Sequence, residues 1–419
     1  MRVLILGSGL AGITAAYYLR KRGCDVVVVD RAAGPARETS YANGSMITPS
    51  LSDPWNSPGV LRVLLRSLGR EDSAMLLRAK SIPSLIGWGM SFIRNSASQH
   101  FQHNYLKNVA LVHYSQWMMR DLLQSHSLQF DHVYDGTMKI FRDAAAFDYG
   151  IKIAHWLKQV GIEHRALDAA GVLEIEPLLQ PIIGEIVGGI GYPGDETGNA
   201  RMFCEELRRV CEQDGVQFRF AENVVEIIRS RRKVTGMRTA KEVLTADAYV
   251  LAAGSFSSVW RKQLGFRIPV QPAKGYSISV PMDHWTIRPR VPIVDDSLHA
   301  ALVPVGDVLR VAGTAEFTGY DLTVSQPRID NLIRLFGRVF PQLAETIGET
   351  DVHPWCGLRP LTPDGMPIVG RSPLDNLFLN TGHGPLGWSM ACGSGQAVAD
   401  IITDAPTGID MSAYALDRF

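Results

Sequence analysis

Six residues near the N-terminus, Gly7-Ser8-Gly9-Leu10-Ala11-Gly12, constrain this chain more than any other stretch. They follow an apolar run at residues 2–6 and precede residues 10–22, whose apolar positions recur at helical spacing up to Gly23, a suitable C-cap. A second, β-branched run at residues 25–29 leads into Asp30. Strand, glycine turn, helix and strand in that order predict a βαβ unit with a right-handed crossover and a parallel sheet. In such a unit Gly7 permits the tight turn, Gly9 lets a pyrophosphate approach the backbone, and Gly12 lets the helix pack closely on the strand. The phosphates then meet the free N–H groups and positive dipole of the helix N-terminus. A carboxylate at Asp30 accepts hydrogen bonds from ribose hydroxyls and repels a 2′-phosphate. Gly7, Ser8, Gly9, Leu10, Ala11, Gly12 and Asp30 are therefore candidate dinucleotide contacts, with NAD and FAD both open.

The chain has 419 residues, with Lys+Arg and Asp+Glu each totalling 42. That balance gives no reason to expect nucleic acid or an acidic surface as partner. The length suits two or three domains. The 5 cysteines are scattered and form no C-x-x-C, which reads as reduced thiols in a reducing compartment. Cys204 and Cys211 share one face of an expected helix as small apolar residues. Asp, Glu, His and Cys show no metal-ligand spacing, and neither a G-x-S-x-G nor a P-loop occurs. The N-terminus lacks the charged and apolar regions of a signal peptide. The most membrane-like stretch, Leu85 to Ile93, falls short of the ~18–20 apolar residues of a spanning helix. It is read as a core helix, with an interfacial helix as the alternative.

Residues 36–59 are rich in Ser, Thr, Asn, Gly and Pro without periodicity, and a loop that long in a compact protein is usually functional. Residues 60–125, 147–160, 200–213, 327–347 and about 388–403 are expected to be helical. A hairpin is expected around Asp135-Gly136. Strands are expected at 216–229, 244–252 and 377–381. From 266 to 317 the period switches to two, predicting an antiparallel sheet with turns at Gly275 and at Gly306-Asp307. The expected fold class is α/β: a Rossmann-like domain (1–80, 195–260 and 355–419) interleaved with an α+β substrate domain (81–194 and 261–354). The second domain holds a mainly antiparallel sheet, and the active site lies between the two. The run from Thr245 to Gly254 ends in the small residues Ala252, Ala253 and Gly254, which allow a large planar cofactor to lie against the backbone.

Several segments now carry a resemblance. They are the glycine turn, Glu38-Thr-Ser-Tyr-Ala-Asn43 and Leu251-Ala-Ala-Gly254, which resemble the D-amino-acid oxidase/glycine oxidase superfamily of flavoproteins. Within it the chain is most similar to the bacterial D-amino-acid dehydrogenase small-subunit type. That similarity rests on Pro193-Gly-Asp-Glu-Thr-Gly198, Lys274-Gly-Tyr-Ser277, Arg310-Val-Ala-Gly313 with Ala315-Glu316, Trp355-Cys-Gly-Leu-Arg-Pro360 with Thr362-Pro-Asp-Gly365, and Asn380-Thr-Gly-His-Gly384 with Leu386-Gly-Trp388. These segments span the whole chain in order. The resemblance implies FAD, with its adenosine ribose at Asp30 and Arg31 and its phosphates or flavin near Ser40, Asn43 and Gly44. The backbone of Val224 faces the adenine, Ala253 and Gly254 lie against the cofactor, and the loop Gly382, Gly384, Leu386, Gly387 and Trp388 lies at the isoalloxazine edge. It implies oxidative deamination of a D-amino acid to a 2-oxo acid and ammonia, with hydride passing from Cα to flavin N5 and electrons then to a quinone or other carrier. Related enzymes can tether FAD to a cysteine near Cys356; here the matching position is Gly357, so FAD is expected to be non-covalent.

Arg359 is the expected carboxylate anchor, because its planar fork binds carboxylates in bidentate fashion; the bland alternative is an ion pair with Asp364. Tyr276 is expected to close the other side of the pocket or else to be an inward-facing strand aromatic. His383 is expected to tune the flavin or contact substrate, without a general-base role. Tyr320, Glu38 and His299 are further candidates. The apolar residues around 293–303 point to small or apolar substrates. The alternatives kept open are an oxygen-using oxidase of glycine, sarcosine or a proline-like imino acid, a non-catalytic flavin-binding subunit, and an NAD enzyme. The resemblance places the protein in the cytoplasm with peripheral contact at the inner membrane face.

Overall fold

The computed structural model describes residues 1–67, 70–71, 73–348 and 351–419. Its first sheet has 6 strands in the order Ile368–Arg371, Leu377–Thr381, Ala248–Leu251, Arg2–Leu6, Asp25–Val29 and Gln217–Arg219. All pair in parallel except the edge strand Ile368–Arg371, which runs antiparallel to its neighbour. The β-branched runs are buried on both faces, as a parallel sheet requires. Val3, Ile5, Val26 and Val28 pack under the helices Leu10–Lys21 and Ala391–Ile402. Leu4, Leu6, Val27 and Val29 pack under a 3-stranded sheet formed by Val224–Ser230, Lys233–Thr239 and Val243–Leu244.

The second sheet has 9 strands. Its centre holds Gln271–Pro281, Val308–Phe317 and Ala300–Val305 side by side in that order and antiparallel, with the expected turn at Gly306-Asp307 joining the last two. The helix Gln326–Val339 covers one face, burying Leu332 and Phe336 against Tyr276, Ile278 and Val280. The other face looks towards the first sheet.

Several expectations are corrected. Asp135-Gly136 makes no hairpin: Thr137–Phe141 pairs instead with Gly188–Tyr192 and Ile293–Asp295. Gly136 is glycine because a Cβ there would crowd the Tyr192 carbonyl oxygen, at 2.8 Å. Gly275 is no turn but lies inside the strand Gln271–Pro281. The stretch 60–125 contains the helices Val60–Arg66, Ile82–Arg94 and Ser98–Ser125, interrupted by the strand Met75–Leu77, which joins the second sheet beside Ala315–Phe317; residues 68, 69 and 72 of that stretch, and 349 and 350 of the expected substrate domain, lie outside the described residues. The segment 353–361, expected partly as loop within the Rossmann-like unit, is a strand of the second sheet paired with Gln271–Pro281. Leu111, Val112, Met119 and Leu122 of Ser98–Ser125 pack into the core of the first sheet, so this helix straddles the expected domain division.

Leu85 to Ile93 is not a core helix. Within Ile82–Arg94 only Phe92 is buried, while Ile82, Ile86, Met90 and Ile93 are 39–64% exposed along one stripe. All five cysteines are free and buried, with Cys204 and Cys211 on the core-facing side of Ala200–Gln213.

Candidate active site

Between the sheets runs a cavity of about 690 Å³. Gly7, Ser8, Gly9, Leu10 and Ala11 form one end of its wall. The glycine roles are visible in what a side chain would strike. A Cβ on Gly12 would overlap the Gly7 carbonyl oxygen, and Gly7, at φ +108°, lies against the Ala252 carbonyl. The small residues ending Ala248–Leu251 thus seat the turn, and Gly12 itself lies behind the wall. Asp30 accepts from the Ser8 N–H and Oγ–H at 2.7 Å each and from the Ala32 N–H at 2.8 Å, which holds its carboxylate at the cavity rim. Arg31 is braced by Glu38 (Nε–Oε1 2.7 Å) and stacks 3.9 Å from the Phe256 ring.

Ser40, Asn43 and Gly44 line the middle of the cavity, and Ser40 Oγ accepts from the Leu10 N–H at 3.3 Å. Val224, Ala253 and Gly254 also line the cavity. Gly384, Leu386, Gly387 and Trp388 line the opposite side; the following helix begins at Ala391, not 388. Gly382 stands behind this wall, where its φ of +78° turns the chain and a Cβ would meet Thr362 at 2.7 Å. A helix N-terminus, a side-chain-free turn, a rim carboxylate and a long two-sheet cleft fit a dinucleotide as extended as FAD. Asn380 Oδ1 and His383 Nε2 are buried at this wall without hydrogen-bond partners, leaving polar groups for a bound molecule.

The other end is built on the second sheet. Gly275 and Gly357 stand opposite each other on neighbouring strands. Each makes room for a neighbour's side chain: a Cβ on Gly275 would overlap the Arg359 guanidinium, and one on Gly357 would overlap the Trp355 ring. The two glycines leave space that the guanidinium and the indole fill, so both side chains lie close over the strands. Arg359 has Trp55 at 5.1 Å and donates one bond, to the Thr314 carbonyl at 3.1 Å. Thr314 is the extra residue of a β-bulge against Gly275–Tyr276, and its φ of +60° turns that carbonyl towards the guanidinium. Among the described residues no carboxylate pairs with Arg359. Asp364, the partner in the bland alternative, is taken by Arg418 at 2.7 Å. Burial pushes Arg359 down to about 10, so it stays charged at neutral pH while lacking a counter-ion. A half-buried guanidinium that faces a cavity without a carboxylate partner is an anion receptor.

His383 is buried and pushed down to about 4 by that burial, so its imidazole is neutral at physiological pH. Tyr276 touches the cavity wall, but its ring packs with the helix-side cluster and its hydroxyl donates to Glu316 at 2.6 Å. Burial first, and then Glu316, raise its pKa. Cys356 shares that far side, donating its thiol to the Leu322 carbonyl, and Gly357 occupies the cavity side. Tyr320 hydrogen-bonds Ser258 and the Ser255 carbonyl outside the lining, whereas Glu38 and His299 are lining residues. Sequence reasoning missed Asp53, Trp55, Lys139, Thr314 and Asn380. The one available signal for Asp53 and Trp55 was the long aperiodic loop at 36–59; strand or turn context hid the others. Among the described residues no group of His, Cys, Asp and Glu could hold a metal ion.

Asp195 supports the 48–53 loop from beneath. It is buried and accepts from Ser50 Oγ and Thr137 Oγ1 at 2.5 Å each. Burial pushes its carboxyl up to about 7, against the pull of those two hydroxyls. Between its ordinary 3.8 and about 7 the folded protein holds a proton that the unfolded chain has released. This contribution to stability is therefore complete below the ordinary value and is lost as pH rises through about 7. Asp195→Asn mimics the protonated form, so its melting temperature should fall less than the wild type's between about pH 5 and about pH 8, by about 2–5 °C. Identical slopes in thermal denaturation would refute this.

The FAD dependent oxidoreductase (DAO) family profile matches residues 2–401. The chain is 38% identical over 421 residues to the D-amino acid dehydrogenase of Paramagnetospirillum magneticum, covering 100% of this chain and 99% of the relative. It is 39% identical over 419 residues to that of Granulibacter bethesdensis, covering 100% of both. Among solved structures, glycine oxidase from Geobacillus kaustophilus superposes with a TM-score of 0.78 at 20% identity, covering 100% of this chain and 99% of that one. L-proline dehydrogenase from P. horikoshii gives 0.77 at 18% identity, covering 100% and 97%.

Proposed function

From the premise that the chain belongs to the FAD dependent oxidoreductase (DAO) family, we propose that it oxidises small or apolar D-amino acids to 2-oxo acids and ammonia, passing the electrons to a quinone or other carrier. The observation that carries the amino-acid part is the half-buried guanidinium of Arg359, which lines the same cavity as the glycine turn and pairs with no carboxylate among the described residues. The D-amino acid dehydrogenases at 38–39% identity support the stereochemistry.

Bound FAD supplies the two-electron acceptor for the hydride that leaves Cα. The chain's own residues bind and orient. Arg359 takes the substrate carboxylate in its fork, and the bare backbone of Gly275 lets the guanidinium lie close over the strand. The bonds that fix Arg359, to Thr314 and over Trp55, limit its motion, so Cα is held at one distance from the cofactor. Neutral His383 adds no competing cation beside the carboxylate site. The turn from Gly7 to Gly12, with Asp30, Arg31, Ser40, Asn43, Gly44, Val224, Ala253 and Gly254, would hold FAD, and Gly384 to Trp388 would lie along it; among the described residues no cysteine lines the cavity. Val294, Ala300 and Ala301 in the wall suit a small side chain.

The test is anaerobic. The purified protein should be yellow, and D- but not L-amino acids should bleach it; a yellow protein that no amino acid bleaches sinks the reaction class. Reoxidation that is slow in air but fast with a soluble quinone supports the dehydrogenase reading over the oxidase. A peripheral membrane contact belongs to the same proposal. Among the described residues no helix is long and apolar enough to cross a membrane. The stripe Ile82, Ile86, Met90 and Ile93 lies on a helix without acidic residues, which suits an interfacial position at the inner membrane face, with the body of the protein in the cytoplasm. Trp88 is a poor probe, because it stacks on Phe92 at 5.0 Å and bonds the Pro269 carbonyl. Ile86→Glu with Met90→Glu should move the protein from the vesicle-bound to the free fraction by about tenfold in partitioning, without loss of soluble activity. Equal flotation of variant and wild type with anionic vesicles would dispose of the contact.

A further inference from the structure

Asp53 follows the short helical turn Pro49–Leu51 and lines the cavity. Its neighbours Ser52 and Pro54 are buried, while Asp53 is exposed, and the cavity is the surface it lines. Trp55, two residues on, lies against Arg359. Two residues span at most about 7 Å of backbone, so Asp53 and Arg359 serve the same end of the cavity. These opposite charges do not pair with each other. Among the described residues Arg359 hydrogen-bonds only the Thr314 carbonyl, and no other residue hydrogen-bonds to Asp53. The nearby cation, Lys139, is already held by Asp296 at 2.6 Å. The cavity walls partly desolvate its carboxyl, which raises the pKa, with Lys139 pulling it down and Asp296 pushing it up. Water in the open cavity solvates this carboxylate; a ligand that fills the cavity displaces that water, so it must itself supply a donor or leave the carboxylate unsatisfied.

The donor has two places to sit on an amino acid: the α-amine or the side chain. A carboxylate gripping the α-amine would hold it as ammonium, the form that resists loss of hydride from Cα. Resting on the function proposed above and refining its substrate class, we infer that Asp53 reads the substrate's side chain, accepting a hydrogen bond from a hydroxyl or ammonium group on it. Arg359 holds the α-carboxylate, and the side chain extends towards Asp53, Lys139 and His299. The favoured substrates are then small D-amino acids with a donor near the end of the side chain, in preference to hydrocarbon ones of equal size.

D-norvaline, D-homoserine and D-2,4-diaminobutyrate test this, because they differ only in a terminal methyl, hydroxyl or ammonium. The wild-type holoenzyme should prefer at least one donor-bearing member over norvaline by about tenfold or more in kcat/KM. Asp53→Leu should reverse that order, and Asp53→Asn should keep a hydroxyl preference while losing an ammonium one. The 2-methyl analogues of the three lack the hydrogen removed at Cα, so their dissociation constants, from calorimetry, should follow the same order without turnover. Yellow colour and an unchanged melting temperature show that each variant is folded. An Asp53→Leu protein with the wild-type order of preference overturns the inference. So does a uniform loss across the panel, which assigns Asp53 to the α-amine. If no amino acid bleaches the protein, the proposed reaction fails, yet the binding order of the 2-methyl analogues still decides the role of Asp53.

Discussion

Replacing Arg359 with glutamine should lower kcat/KM for a D-amino acid by about a hundredfold or more while leaving the protein yellow. Removing one partner of a buried, hydrogen-bonded charge pair costs about 2–5 kcal/mol, and each 1.4 kcal/mol is a factor of ten. Glutamine retains one donor but loses the charge and the fork. Arg359→Lys should fall between, since it keeps the charge as a point without the planar geometry. Gly275→Ala offers a route to the same defect that leaves the arginine in place, because a Cβ there overlaps the guanidinium. The control is a primary amine lacking the carboxylate: its turnover, however slow, should be indifferent to Arg359. A glutamine variant that retains wild-type kcat/KM would remove Arg359 from substrate binding, and equal losses on amine and amino acid would make its role structural.

Gly12→Ala should give a colourless protein, carrying less than about a tenth of the wild-type FAD, that added FAD does not restore. The added methyl overlaps the Gly7 carbonyl, which belongs to the turn proposed to cradle the phosphates. Relieving it moves the helix Leu10–Lys21 away from its strand or distorts the turn. Overpacking of this kind costs about 1–3 kcal/mol in stability, a tolerable amount, but it destroys the geometry that aims the helix N–H groups. Gly184→Ala is the matching control, since its Cβ position has nothing within 4 Å and it lies outside the cavity. Flavin absorbance per protein, with circular dichroism for folding, reads the result. A fully loaded Gly12→Ala protein would show that close helix–strand packing is not what holds the cofactor.

The nucleotide half of the molecule was legible in the amino-acid order because its determinants are local. The βαβ unit falls within thirty residues, its glycines act on backbone a few positions away, and Asp30 bonds Ser8 across adjacent strands. The aperiodic loop at 36–59 announced itself as functional and supplies much of the cavity wall. Arg359 was legible as a candidate, but its competing partner was not decided until Asp364 was found bonded to Arg418, from the far end of the chain.

The substrate half depended on pairings that no local pattern encodes. Gly275 looks like a turn in sequence; only its register opposite Gly357, and the guanidinium folded over it, reveal a glycine required inside a strand. Tyr276 alternates to the helix side of the same strand, where Glu316 engages its hydroxyl, because a period of two fixes opposite faces without saying which one meets the cavity. Thr314 turns its carbonyl to Arg359 through a bulge that exists only against the neighbouring strand. Asp53 and Lys139 are 86 positions apart in numbering and converge only when the second sheet closes over the first. The sequence by itself therefore determined the cofactor-binding unit and the type of anion anchor, since both rest on short-range chemistry. Tertiary structure decided which side chains face the cavity, because facing is a property of long-range strand pairing and of the charges left unpaired by it.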